Sequence, residues 1–361
     1  MSRPRKQMVG MAFVWAVVLN LSVVGAHAGK GPRPKRDTRS AEKQFPPPNA
    51  LRFANLLRQA RHGDKRAQTR VGIAFAKGEI ASQNPYEAVR WFSEAAEAGD
   101  PQAQHNLGMM LYLGMGVERN LSLAAKWFET AAAAGVAQAQ FRAGAMYENG
   151  EGVPENYGKA LALLREAAWQ GLAAAQNNLG KMYQTSGAVA RDDIIATSWF
   201  RKSAEQGDAI GEFDLGLMYW KGVGVPHDLA KAMYWFQRSA NHGHAGAQRV
   251  LGWWYQDAIG VPKDLQAART WLLKAAQQGN PDAQNRLGIL FMQGQGVTAD
   301  EAQAAVWFSK AVQQGDGHAQ ANLAAFYQVG RGVQRDSIQA YKWYRLSEQT
   351  GGEDWSGELR D

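Results

Sequence analysis

The feature that most limits this chain is a strict internal repeat. Ala103-Gln104 returns at 36-residue intervals as Ala67-Gln68, Ala139-Gln140, Ala175-Gln176, Ala247-Gln248, Ala283-Gln284 and Ala319-Gln320, with Gly211-Glu212 in the remaining place. Leu107-Gly108 returns as Val71-Gly72, Ala143-Gly144, Leu179-Gly180, Leu215-Gly216, Leu251-Gly252, Leu287-Gly288 and Leu323-Ala324. The Trp127 position holds Trp91, Leu163, Trp199, Trp235, Trp271, Trp307 and Trp343, and a Gly closes every copy, as Gly135 does. Eight copies run from Ala67 to about residue 354 without insertion or deletion. Self-similarity of this kind signals an array of stacked supersecondary units.

Within one copy each residue type has a physical reason. "AQHNLGMMLYL" and "LSLAAKWFETAAAAG" space apolar residues at helical intervals, which predicts a helix A followed by a helix B. A Gly inside helix A costs about 0.5–1 kcal/mol against Ala, so it implies a close approach of helix B. Trp127 and Phe128 are expected to fill the groove between the two helices, and Ala131-Ala132 to give the next copy a flat packing surface. The loop "GMGV" at 114–117 recurs as "GEGV", "GVGV", "GQGV" and "GRGV". Its first Gly suits a left-handed helix end, its second a tight turn, and its Val a buried plug. Asn120, with Asn84, Asn156, Asp192, Asp228, Asp264, Asp300 and Asp336, stands where helix B needs an N-cap. That role explains these side chains without catalysis.

The pattern resembles the Sel-one-like repeat family, a branch of the tetratricopeptide-like α-solenoids. It is seen nearly whole in "GEFDLGLMYWKGVGVPHDLAKAMYWFQRSANHG" at 211–243. Departures are "GEIA" in the first loop, "SGAV" in the fourth, and Leu163-Leu164 for the aromatic pair of the third copy. The resemblance implies an all-α, right-handed superhelical α-solenoid of eight 36-residue helix-turn-helix repeats. It also implies protein–protein interaction through scaffolds, adaptors and periplasmic regulators.

The flanks read differently. Arg3, Arg5 and Lys6, the apolar residues 8–25 and "AHA" at 26–28 predict a signal peptide cut after Ala28, with an uncleaved anchor as the alternative. Residues 29–49 read as a disordered, basic, Pro-rich linker, 50–66 as a capping helix, 67–354 as the repeats, and 355–361 as a tail. Trp355 and Leu359 are expected to fold back over the last pair. The net charge of +7 does not describe the repeats: residues 29–66 carry eleven Lys/Arg against three Asp/Glu, whereas residues 67 onward carry 26 against 30. Nucleic acid is therefore not an expected partner. No Cys is present, which excludes disulfides, a thiol nucleophile and thiolate metal sites.

Helix A is expected to line the concave side, with the positions of Gln102, His105, Met109, Tyr112 and Leu113 turned outward. Along the array these positions hold Tyr112, Phe141, Asn177, Lys181, Phe213, Trp220, Arg249 and Trp253, which are the candidate partner-binding residues. Met110, Met146, Met182 and Met218 read as core filler. No phosphate loop, Gly-x-Ser-x-Gly or His-Glu-x-x-His occurs. "SAEK" at 40–43 fits Ser-x-x-Lys but lacks its companion motifs, and the "NHGH" turn with His242 and His244 falls short of a metal site. The expectation is a monomeric periplasmic or secreted adaptor with no catalytic residues, metal or cofactor, binding a peptide or protein and without a membrane span in the mature chain. The alternatives are a hydrolase or enzyme accessory acting on cell-wall or β-lactam-like substrates, and a structural part of an envelope polysaccharide or secretion assembly.

Overall fold

The computed structural model describes residues 48–78, 82–185 and 189–350. The expected signal peptide, the expected linker except Pro48 and Asn49, which begin the first helix, the Ser40–Lys43 stretch and the tail residues Trp355 and Leu359 lie outside them. Among the described residues there are seventeen helices and no strand. Helix α1 (Pro48–Arg61) is followed by eight pairs. These are α2 (Lys65–Lys77) with α3 (Pro85–Glu97), α4 (Pro101–Leu113) with α5 (Leu121–Ala133), α6 (Ala137–Asn149) with α7 (Tyr157–Trp169), and α8 (Ala173–Thr185) with α9 (Asp193–Glu205). Then come α10 (Ala209–Lys221) with α11 (Leu229–Asn241), α12 (Ala245–Asp257) with α13 (Leu265–Gln277), α14 (Pro281–Gln293) with α15 (Glu301–Val312), and α16 (Gly317–Val329) with α17 (Ser337–Gln349). The chain divides into two compact units, residues 1–139 with 149–155 and residues 140–148 with 156–361.

The interior Gly does what its cost demands. In the first unit a Cβ on Gly108 would sit 2.8 Å from the Phe128 ring, which is fully buried. In the second unit Gly216 meets Phe236 in the same way, at 2.7 Å. Burying such a ring is worth about 1.5–3 kcal/mol, which outweighs the Gly penalty of about 0.5–1 kcal/mol. The Trp before it behaves otherwise. Trp199 packs against Ala167 and Ala168 of the preceding pair and against Ala175 and Leu179 of its own helix A. The two aromatics therefore do not share one groove as expected. Adjacent helical residues point about 100° apart, so one ring seals the pair and the other joins it to the pair before. Lysines cover the Trp faces: Lys202 Nζ lies 4.1 Å from the Trp199 ring, and Lys310 Nζ 4.0 Å from that of Trp307.

Every expected cap of helix B is in place, from Asn84 to Asp336, each accepting a backbone N–H in the first turn. Six helices A are also capped, by Asp64, Asp100, Asp208, His244, Asn280 and Asp316, a regularity the sequence analysis missed. In the loop, Gly222 ends α10 at φ 65° and returns its N–H to Met218 O. The second Gly does more than turn the chain. A Cβ on Gly296 would lie 2.6 Å from Leu265 O, so this Gly lets the loop rest on the start of the preceding helix B. The Val after it is half-buried, as at Val225 and Val261, rather than a sealed plug. At the first Gly position of the sixth copy stands Ala258, held at φ 58°.

Candidate functional site

The helix-A faces of the two units carry the candidate residues. In the first unit Tyr112 is half-buried and its hydroxyl donates to Glu151 Oε2 at 2.7 Å. His105 and Met109, expected to point outward, are only 5 % and 3 % exposed.

In the second unit the same correction applies to Asn177, 2 % exposed, whose Nδ2 donates to Asp214 Oδ2 at 2.8 Å. The reason is stacking. A helix A lies beside the helices A of its neighbours, so this position meets the next helix rather than solvent. Lys181 remains about half exposed and pairs with the same carboxylate at 3.4 Å. Burial pushes the Glu148 carboxyl above its ordinary range, and Lys181 partly offsets that rise. Phe141 is half-buried among Ala167, Ala175 and Leu179, with the Arg142 guanidinium 5.7 Å from its ring centre. Phe213 stacks on His244 at 4.5 Å and lies 5.6 Å from Phe236, so it supports the core as much as it offers a surface.

Trp220 and Trp253 meet edge to face at 5.7 Å, both half-buried, over the fully buried Trp254. The Trp253 indole N–H donates to Asp257 Oδ2 at 2.6 Å, and the Arg286 guanidinium lies 5.5 Å from its ring. Arg249 Nη1 and Arg286 Nε both reach the Asp282 carboxylate, at 2.8 and 3.2 Å. Beside them a cleft of about 350 Å³ is lined by Asp282, Asn285, Arg286, Ile289, His318, Ala321 and Asn322. Large aromatic surface beside positioned charges is the composition of an interface anchor. Met146, Met182 and Met218 are buried, as core filler should be.

The "NHGH" turn is more structured than a solvated loop. His244 caps α12, its Nδ1 accepting from Ala247 N–H at 3.2 Å, and burial pushes its pKa below the ordinary value for an imidazole. His242 Nδ1 lies 2.7 Å from Glu212 Oε2, and Arg238 Nε 2.9 Å from Oε1, around a carboxylate with no exposure. The only sequence mark of this cluster was Glu212 itself, standing where the other copies carry Gln. Among the described residues no group of three His, Asp or Glu is placed to hold a metal ion, and no helix is long and apolar enough to cross a membrane.

Comparison with known proteins agrees with this architecture. The Sel1 repeat model matches eight consecutive segments, from residues 65–100 to residues 317–348. Among solved structures, a Sel1 repeat protein from Oxalobacter formigenes is 30% identical, over 91% of this chain and 98% of that one, with a TM-score of 0.64. The c5321 protective antigen of uropathogenic Escherichia coli, which displays an SLR fold, is 33% identical, over 83% of this chain and 72% of that one, with a TM-score of 0.63. A search of curated proteins finds no match. Eight matched repeats, helix pairs of the same period and these likenesses make the chain a member of the Sel1 repeat family, an α-solenoid scaffold.

Proposed function

We propose that this scaffold is a non-enzymatic adaptor that binds a protein or peptide on the helix-A face of its second unit. The observation that carries the reading is the half-buried Trp220–Trp253 pair, 5.7 Å apart, with Arg249, Asp282 and Arg286 beside it. The pair offers aromatic area to a partner on a face whose charges are already oriented by one another. The basic residues 3–6, the apolar residues 8–25 and "AHA" support export with cleavage after Ala28. Intact mass of the exported protein tests the cleavage, and a mass that retains residues 1–28 overturns it.

The binding reading is tested with Trp220→Ala and Trp253→Ala, leaving Phe213 in place because its ring packs on Phe236 and on the capping His244. Each should weaken a partner captured from envelope extract by at least about tenfold, the loss typical of an anchor residue. Helical circular dichroism should stay unchanged. Unaltered affinity in both variants removes the reading. The adaptor reading also expects no turnover, and β-lactam hydrolysis by the pure protein that a point mutation abolishes would contradict it.

A further inference from the structure

The cleft between α14 and α16 contains a polar arrangement that packing does not use. Asn285 is only 5 % exposed, and its Oδ1 accepts from Asn322 Nδ2 at 2.8 Å. That mutual bond leaves Asn285 Nδ2 as a donor and Asn322 Oδ1 as an acceptor, neither with a partner among the described residues. A donor beside an acceptor is the complement of one residue in an extended chain, whose own C=O and N–H point to the same side. Both residues line the cleft, where a ligand can replace the water that otherwise completes these hydrogen bonds.

The wall of the same cleft gives the charge. Arg249 and Arg286 share the single carboxylate of Asp282, so the trio carries one net positive charge. The terminal nitrogens of Arg286 bond to nothing else among the described residues. The Asp257 carboxylate accepts the indole N–H of Trp253 and is not part of the cleft lining. Ile289 lines the cleft with apolar surface, and the Trp253 ring lies 5.5 Å from the Arg286 guanidinium that lines it.

We infer that the Asn285–Asn322 cleft binds the main chain of an extended peptide that carries an acidic side chain toward Arg286 and an apolar one toward Ile289 and Trp253. This rests on the partner-binding reading above and names the chemistry of the partner. In an extended strand residues two apart lie on the same side, roughly 7 Å from each other. One residue can therefore place its N–H and C=O on the amide pair while the side chains before and after it, two apart, reach the guanidinium and the apolar wall.

The test uses a bead library of blocked hexapeptides built from acidic, basic, amide and apolar residues. Selected sequences should carry Asp or Glu two positions from an apolar residue. Methylating one backbone nitrogen of the best peptide should weaken it about tenfold, the value of one well-placed hydrogen bond. Asn322→Leu and Asn285→Leu should do the same, and Arg286→Met should erase the acidic preference. Asn322→Asp keeps the side-chain shape and should repel the acidic peptide, which covers the case that the Leu variants fold poorly. Selection of basic or neutral peptides, no binder at millimolar concentration, or indifference to N-methylation and to Asn322→Asp overturns the inference. Trp220 does not line the cleft. A partner lost in Trp220→Ala but kept in Asn322→Asp sinks this inference alone, whereas a partner kept in both Trp variants sinks the binding reading itself.

Discussion

Two joints of the second unit occupy equivalent positions and are built from different chemistry. At Gln248 the amide donates to Ala240 O at 3.1 Å, and its oxygen accepts from Gln278 Nε2 at 2.8 Å. One neutral side chain thus ties the preceding helix B to the closing turn of its own pair. Gln176 and Gln284 do the same with Gln206 and Gln314. At Glu212 the carboxylate accepts only, so it gathers His242 and Arg238 from its own pair and cannot donate backward. The backward contact is rebuilt by Ser203, whose hydroxyl donates to Asp208 Oδ2 at 3.0 Å. That hydroxyl takes the space of a side chain on the facing helix, and there stands Gly211 where other copies have Ala. The Glu212 joint thus differs from the Gln248 joint also in Gly211 for Ala247 and in the bond its serine makes, since Ser239 donates to Ala209 O. The comparison teaches that the repeat dictates geometry, while the means of satisfying a buried polar position are local.

The largest expected effect separates the joints directly. Arg238→Ala with His242→Ala leaves a buried carboxylate unpaired and should cost about 3–5 kcal/mol in chemical unfolding. Gln278→Ala at the amide joint should cost about 1 kcal/mol. Equal losses would mean that the charged joint is no different in kind. Next, Gly211→Ala should cost about 1–3 kcal/mol through overpacking. Adding Ser203→Ala should recover much of it, because the two sites share one space. Additive losses would show that Ser203 and Gly211 do not compensate each other.

A third effect comes from pH. His244 caps α12 with a neutral nitrogen, whereas Asn280 caps α14 with a side chain that does not titrate. Burial depresses the His244 pKa; Asp214 and Asp208 pull it up, and Lys181 pushes it down. The unfolded chain then takes up the proton first as pH falls. Stability from this group is complete above about pH 6.5, the ordinary imidazole value. Below that it declines by up to about 1.4 kcal/mol per pH unit until the folded imidazole titrates. Melting at pH 7 and pH 5 should show a slope that His244→Asn reduces, and an identical slope in the variant would place its source elsewhere. The smallest effect lies at the other end of α12. Ala258 is left-handed where neighbouring copies use Gly, so Ala258→Gly should stabilise by about 0.5–1 kcal/mol. A loss of stability would show that its methyl group contributes packing that outweighs the strain.

The helix pairs, the Gly–aromatic contact and the helix-B caps were legible because each is a local rule stated eight times at fixed spacing. Asp228 marks the start of α11 in the sequence as clearly as it does in the structure, where it accepts the Lys231 N–H. The candidate face was only partly legible. Trp220, Trp253, Arg249 and Lys181 keep exposed surface on helix A, but Asn177 and His105 do not. A helical period gives the direction of a side chain from its own axis, and the side chains of the next helix A decide whether that direction ends in solvent.

The sequence by itself determined the fold class, because each helix, cap and turn follows from neighbours within a few residues and the pairs differ little. It also placed Gln beside the small residue in nearly every copy, without saying what that Gln joins. Only the tertiary structure decided what those side chains bond, which ring of each aromatic pair faces which helix, and that Asn285 and Asn322 meet across 37 residues with a donor and an acceptor to spare. Those outcomes depend on atoms contributed by adjacent repeats, whose approach is set by the packing of whole helices and is not written in either repeat alone.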